Sequence, residues 1–511
     1  MKIKPSLYFS ILALFVCGFC LLQLSPARAA FLLMPEGGEG IDPALKEGYA
    51  AFKNGEFDKA VALFKKEAVK DNNAAQFALG ILYQEGKGVP RSVQTAIQWY
   101  QKAASAGHSP SQYNLALLLL EDPSMVEKGI SWLKSAADTG SVKAMLSLGN
   151  IYISGNGVEQ DIQEGMHWLD AAHKAGNHEA AFMLGSLYES GALKGEDDQA
   201  KSIGFLTEAA EAGILKAALR LGEKFQRGQG VEQNFAEAEK WFRYSAVTLK
   251  SGRGQMGLGE LFEIGAGKKP DYAKALGLYE KAAASGEALG YNKLGYFYEN
   301  GLGVEKSLSQ AVENYTKAAE MGLTVAMYNL AVFHNKGSGV EKNETKAAGW
   351  LYRAAAGGLG IAQNELGVHY RDGKGVMQDH LAALAWFDRA AKGGFVGGMV
   401  NVAMMNAEGM GTQRNLQMAA RYFDAAAKQG DVFSHIQLAN MLSNGMGVDP
   451  DLVKAWALVL SVKNVTNLQP KLAEMLAAVE GELSERLTDT QKKEARKMLE
   501  KKPEAPESEA K

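Results

Sequence analysis

Between Gly301 and Gly337 the chain reads GLGVEKSLSQAVENYTKAAEMGLTVAMYNLAVFHNKG, and its apolar positions fall into two stripes of helical spacing. Ala311, Val312, Tyr315, Ala318 and Ala319 form the first stripe; Ala326, Leu330, Ala331 and Phe333 form the second. Ser307 stands where an N-cap must accept from the free N–H groups of a helix start, and Gln310 is placed to close a capping box with it. Gly322 and Gly337 then supply the left-handed residues that stop the two helices. The pattern predicts a helix, a tight turn and a second helix.

The loop phrase G-x-G-V recurs at Gly86, Gly155, Gly228, Gly337, Gly373 and Gly445, and from Gly301 to Gly445 its period is 36 residues without a slip. One helical hairpin per fixed period marks a solenoid whose units bury their apolar faces against their neighbours. Polar caps recur after the loops at Ser92, Asp161, Asn234, Ser307, Asn343, Asp379, Asn415 and Asp451. Glycines at 107, 140, 176, 213, 252, 286, 322, 358, 394 and 430 are read as closing the helices that follow the loops.

The pattern A-x-x-x-L-G-x-x-Y-x-x-G-x-G-V, a polar cap, then A-x-x-W-[YF]-x-x-A-A-x-x-G resembles the Sel-one-like repeat, a relative of the tetratricopeptide repeat. Ala75 to Gly107 and Ala362 to Gly394 match it almost throughout, and the resemblance covers residues 74–463. It implies an all-α fold, a right-handed superhelical α/α solenoid of about a dozen helical hairpins with N- and C-terminal caps. For function it implies a binding scaffold for other proteins. Some secreted members of the family staple each hairpin with a disulfide, and this chain departs from them.

The departure is visible in its cysteines. Cys17 and Cys20 are the only two, and both lie in the apolar run from Leu7 to Leu24 that follows Lys2 and Lys4. That run ends at Ala27-Arg28-Ala29, so residues 1–29 read as a secretory signal peptide cleaved after Ala29, with an uncleaved anchor as the rival reading. Either way the repeats are exported. The mature chain then has no disulfide and no thiolate metal site, and a periplasmic location is expected, with attachment to the inner membrane as the alternative. Removing the three cations of residues 1–29 from a formal charge of −3 leaves −6, which argues against nucleic acid as a partner.

Residues 30–41 read as a flexible lead-in, and residues 42–73 as an N-terminal capping hairpin closer to a tetratricopeptide unit, with Gly48, Phe52, Phe57, Ala60 and Phe64 interlocking. The solenoid proper spans 74–463. Residues 464–500 read as two C-terminal capping helices, with Thr488 to Gln491 as a helix cap, and residues 501–511 as a disordered tail. Three units break the rule, at Glu121-Asp122-Pro123, at Gly191 to Asp198 and around Tyr244 to Gly254. These loops offer either partner contact or tolerated drift.

Little in the chain points to catalysis. The G-x-G loops follow helices and lack the third glycine of a Rossmann turn and the Gly-Lys-[Ser/Thr] of a phosphate loop, so their glycines serve geometry. His167, His173 and His178 are spaced by six and five and do not share a helical face; His-x-x-x-His spacing is absent. His334, His369 and His435 fall in the helices before the loops and are expected to line the inner surface as polar contacts. Met399, Met404, Met405, Met410, Met418, Met441 and Met446 read as gap-filling or adaptable-groove residues, with soft copper as the lesser reading. Glu196, Asp197 and Asp198 read as a solvated charge run, and no Gly-x-Ser-x-Gly elbow exists. No catalytic residue, cofactor or metal site is assigned.

What remains is a surface. Just before the buried leucine of the L-[GA] step stand Asn114, Asn329, Asn401 and Gln437, with Tyr113 and Tyr328 beside two of them. Amides both donate and accept, so a row of them can hold the backbone of an extended segment while the tyrosines take its side chains. Plain surface or intra-repeat bonding is the other reading of the same residues. The expected function is an exported, non-enzymatic scaffold that binds a protein or peptide of the cell envelope in a concave groove. The alternatives are an assembly factor for polysaccharide or peptidoglycan machinery and a cell-wall or β-lactam hydrolase, both lent by the family resemblance.

Overall fold

The computed structural model describes residues 42–500, so the readings of residues 1–41 and 501–511 lie outside it. Among the described residues there are 26 α-helices and no strand. They fall into two compact units that divide between Lys250 and Ser251.

In the first unit six hairpins follow one another. They are α1 (Lys46–Lys53) with α2 (Phe57–Ala68), α3 (Asn73–Glu85) with α4 (Val93–Ser105), and α5 (Ser109–Leu120) with α6 (Val126–Asp138). Then come α7 (Val142–Ser154) with α8 (Ile162–Lys174), α9 (His178–Glu189) with α10 (Asp198–Glu211), and α11 (Leu215–Arg227) with α12 (Phe235–Arg243). The second unit continues with α13 (Gly252–Ile264) and α14 (Tyr272–Ala284), α15 (Ala288–Asn300) and α16 (Leu308–Glu320), and α17 (Thr324–Lys336) and α18 (Glu344–Ala356). Its later hairpins are α19 (Gly360–Asp372) and α20 (His380–Lys392), α21 (Val396–Glu408) and α22 (Leu416–Ala427), and α23 (Val432–Asn444) and α24 (Leu452–Val462), before α25 (Pro470–Arg486) and α26 (Asp489–Glu500). Each helix packs chiefly on its neighbours in sequence, the one-dimensional packing of a solenoid.

The small residue of the L-[GA] step sets how closely a hairpin's two helices approach. At Gly367 a Cβ would lie 2.6 Å from the Phe387 ring of the partner helix, so only hydrogen leaves room for that fully buried ring. The second loop glycine has a different task. Gly303 sits at φ +66°, where side chains are strained, and a Cβ there would meet the Tyr272 backbone of the preceding hairpin at 2.6 Å. The loop therefore bends and docks on the previous unit at once.

The recurrent caps work as N-caps: Ser307 Oγ accepts from Gln310 N, Asn343 Oδ1 from Lys346 N and Asp379 Oδ1 from Ala382 N. The capping box expected at Ser307 does not close, because the Ser307 N–H donates to the Tyr298 carbonyl at 2.9 Å. Ser92 and Asp379 send their N–H groups to Tyr83 and Tyr370 in the same way, so the cap's own donor ties the loop to the preceding helix. A reciprocal box does form at Thr488, whose N–H meets Gln491 Oε1 at 3.0 Å while its Oγ1 accepts from Gln491 N.

The irregular units show why they depart. Asp122 caps a 3-10 turn at Pro123–Met125 in place of the missing glycine loop. Asp198, read as part of a solvated run, is buried and accepts from Gly195 N at 2.8 Å, holding its own loop closed. After α12 the chain makes a π-helical turn, Tyr244–Thr248, and the left-handed residue is Lys250 at φ 51°. Gly252 therefore closes nothing; it is the first residue of α13. At the far end Leu476, Leu483 and Ala495 of the last two helices, with Leu487 between them, join the core of Leu442, Trp456 and Val459.

Candidate functional site

Successive helices that precede the loops touch one another through side chains, and these contacts define a face in each unit. In the second unit Asn329 Nδ2 donates to Asn292 Oδ1 at 3.1 Å, and Asn401 Nδ2 donates to Asn364 Oδ1 at 2.8 Å. Arg371 Nη1 reaches Asn401 Oδ1 at 3.5 Å. The amides thus link α15 to α17 and α19 to α21. Asn329 and Asn401 are half-buried and already hold a neighbour, while the Gln437 side chain on α23 makes no hydrogen bond among the described residues. Tyr328 packs against the cluster that includes Leu330 and Leu351, and burial, then the nearby Glu365 charge, push its phenol up.

In the first unit the Tyr100 hydroxyl, near Asn114, donates to Gln84 Oε1 at 2.8 Å, and burial pushes that phenol far up. Tyr113 packs against the cluster of Ile130, Leu133 and Leu148. The amide row does not continue from there, because Ser147, Met183, Arg220 and Gly257 occupy the equivalent places before the L-G step. The six sequence candidates are therefore distributed, Tyr113 and Asn114 in one unit and Tyr328, Asn329, Asn401 and Gln437 in the other.

Charged pairs replace amides where the row is broken. Glu189 accepts from Arg220 Nε at 2.9 Å and meets the buried Lys224 at 3.2 Å. Glu263 pairs with Lys293 at 2.9 Å and accepts from the Tyr279 hydroxyl, whose phenol is raised by burial and then by that carboxylate. Tyr315 donates to Glu299 at 2.7 Å with the same consequence. Sequence reading passed over these partners because each pair joins residues about one repeat or half a repeat apart, outside any single helix.

Among the histidines, His369 differs from expectation. His369 is buried, with Nδ1 donating to the Lys374 carbonyl at 2.7 Å and Nε2 accepting from Asn335 at 3.0 Å, so it braces a loop and lines no open surface. His173 and His178 meet at Glu208 Oε1, at 2.8 and 3.6 Å, because the turn between α8 and α9 folds them together. Among the described residues no group of three or more His, Cys, Asp or Glu is arranged to hold a metal.

Two cavities open on the second unit. One, of about 360 Å³, lies between α19 and α21 and is lined by Arg371, His380, Asn401, Met404, Met405 and Glu408 among others. The other, of about 210 Å³, lies between α21 and α23 and is lined by Met404, Glu408, Phe433, Gln437, Met441 and Met446 among others. Met404, Met405, Met410, Met441 and Met446 of the methionine-rich segment thus border the two cavities. Beside the first cavity Arg371, then Lys374, hold the Asp372 carboxyl down at about 2.

A sequence profile of the Sel1 repeat matches eleven segments, at residues 73–108, 109–141, 142–177, 178–214, 215–246, 252–287, 288–323, 324–359, 360–395, 397–431 and 432–459. A crystal structure of a Sel1 repeat protein from Oxalobacter formigenes is 27% identical, with a TM-score of 0.51 over 64% of this chain and 93% of that one. A protective antigen of uropathogenic Escherichia coli with an SLR fold is 30% identical and covers 86% of this chain and 93% of its own, with a TM-score of 0.49. An uncharacterized protein of Neisseria meningitidis is 28% identical over 106 residues, and the chain spans only 22% of that curated relative.

Proposed function

The chain belongs to the Sel1 repeat family of helical-repeat scaffolds, and from that premise we propose that it is an exported, non-enzymatic scaffold that holds an envelope protein or peptide against its pre-loop helices. The observation that carries this reading is the pair of methionine-lined cavities bordered by Asn401 and Gln437. Thioether side chains adapt to varied apolar shapes, and the neighbouring amides are suited to a peptide backbone. Lys2, Lys4, the apolar run and Ala27-Arg28-Ala29 support export to a periplasm.

Crosslinking and capture from a native envelope with the exported chain tests the reading. A discrete protein partner is expected, retained by wild type and depleted by Asn401→Ala with Gln437→Ala. N-terminal sequencing of the exported form is expected to begin at Ala30. Capture of no protein, or turnover of a muropeptide or β-lactam by the purified chain, overturns the proposal.

A further inference from the structure

The two cavities are copies of one another. Adding the 36-residue period to Asp372, Gln378, His380, Asn401, Met405 and Met410 of the first gives Glu408, Arg414, Leu416, Gln437, Met441 and Met446, all of which line the second. Met404 and Glu408 line both, so the cavities adjoin across the end of α21. Repetition of fold does not by itself produce repeated cavities. Here the Met405 and Met441 side chains form the apolar walls, and Met410 and Met446 recur at the second position of G-x-G, where other repeats carry Lys, Asn, Gln, Ala, Leu or Ser.

We propose that this tandem pair receives two large apolar side chains of one extended peptide segment, about three residues apart, with a basic residue between them facing Glu408. The inference rests on the scaffold reading above and narrows its partner. The spacing follows from the architecture: packed helices stand about 8–10 Å apart, and an extended segment in the polyproline II conformation advances about 3.1 Å per residue with three residues per turn, so side chains three apart point the same way. The backbone between the two anchors then passes Asn401 and Gln437, of which Gln437 has both amide functions free. Charge selects the intervening residue. Glu408 is exposed and has no ion-pair partner among the described residues, whereas Arg371 is engaged by Asp372 at 2.8 Å. Arg414, the cation that lines the second cavity, donates Nε to the Ala407 carbonyl at 3.0 Å, and Glu408 is the acidic group that lines both cavities, so a cation beside Glu408 is complemented. The His380 Nδ1 atom, buried and unpartnered at the start of α20, offers a further polar contact at the first cavity.

The test uses the full exported chain and a phage-displayed library of random 12-residue peptides, followed by synthetic peptides made from the selected sequences. Enrichment of two large apolar residues separated by two others, with Lys or Arg among those two, is expected. In the wild-type chain labelled at the methionine methyls, such a peptide is expected to shift Met410 and Met446 together and leave Met377 and Met321 unmoved. Met404→Glu is expected to weaken binding about tenfold or more, as loss of a buried apolar contact implies, while Met377→Glu, outside both cavities, leaves it unchanged. Inserting one residue between the anchors is expected to weaken binding to a similar degree. Selected peptides that lack the spacing, or that bind without moving both methyls, overturn the inference; the methyl measurement needs no variant and stands if Met404→Glu fails to fold. An envelope partner still captured in that case leaves the scaffold proposal intact, so the two failures are separable.

Discussion

Gly367 and Gly349 lie a half-repeat apart on helices of the second unit, and the same substitution at each is expected to act with opposite sign. A methyl group at Gly367 falls 2.6 Å from the Phe387 ring, so Gly367→Ala must push a packed helix pair apart at a cost of about 1–3 kcal/mol. At Gly349, exposed in the middle of α18, nothing lies within 4 Å, and Gly349→Ala removes only the backbone freedom of the unfolded chain, a gain of about 0.5–1 kcal/mol. Urea melts of the two variants measure both shifts. Asp372 supplies a pH-dependent counterpart. Its carboxyl is held at about 2 when folded, below the ordinary value of 3.8, so the unfolded state takes up the proton first. The contribution is present above about pH 4 and is lost as pH falls toward 2, and Asp372→Asn is expected to flatten that part of the stability profile measured by denaturant melts.

At the scale of the element, the last two helices close the open end of the stack. Leu483 is fully buried against the core of α23 and α24, and Arg486 donates to Ser443 Oγ at 2.6 Å and to the Ser443 carbonyl at 2.7 Å. Leu483→Ala is expected to cost about 2–5 kcal/mol, and hydrogen exchange should show the loss first in α24 and α25 while α15 to α18 keep their protection. The existence of these helices and of nearly every hairpin was legible, because caps, terminal glycines and apolar stripes are all local. The Ser307 capping box was misread because its donor is spent on Tyr298, nine residues back, a contact that appears only once the loop is folded. The place of Gly252 was misread because a π-helical turn and Lys250 absorb the reversal that glycine performs elsewhere. For the candidate site, sequence spacing located Asn329 and Asn401 but not their partners Asn292 and Asn364, which lie 37 residues away, one step off the period. The cavities were hidden for a related reason: a methionine list does not show which thioethers face a void until adjacent repeats are packed.

For the molecule as a whole, packing that runs almost entirely between sequence neighbours makes one period removable. Deleting Leu323–Gly358 takes out α17 and α18, 36 residues, and joins Gly322 to Leu359. The junction keeps its geometry because Gly322 and Gly358 have nearly the same backbone angle, φ +93° and +87°. The new interface keeps its small-residue packing: α16 offers Ala318 and Ala319 to α19 where α18 offered Ala354 and Ala355, all four of them buried, and Glu299 takes the register of Asn335 opposite His369. Each remaining loop-spanning hairpin stays whole, including the Gly367–Phe387 contact. The shortened chain is therefore expected to show wild-type helicity per residue and a cooperative melt. Deleting Leu323–Lys342 removes α17 and its loop but leaves α18, whose Leu351 then loses its partner helix, and this 20-residue deletion is expected to aggregate or melt broadly. Because the 36-residue deletion removes Tyr328 and Asn329 but spares both cavities, it also divides the candidate surface. Retained capture of the wild-type partner places recognition on α19 to α23, and lost capture by a well-folded deletion places it on the excised amide and tyrosine.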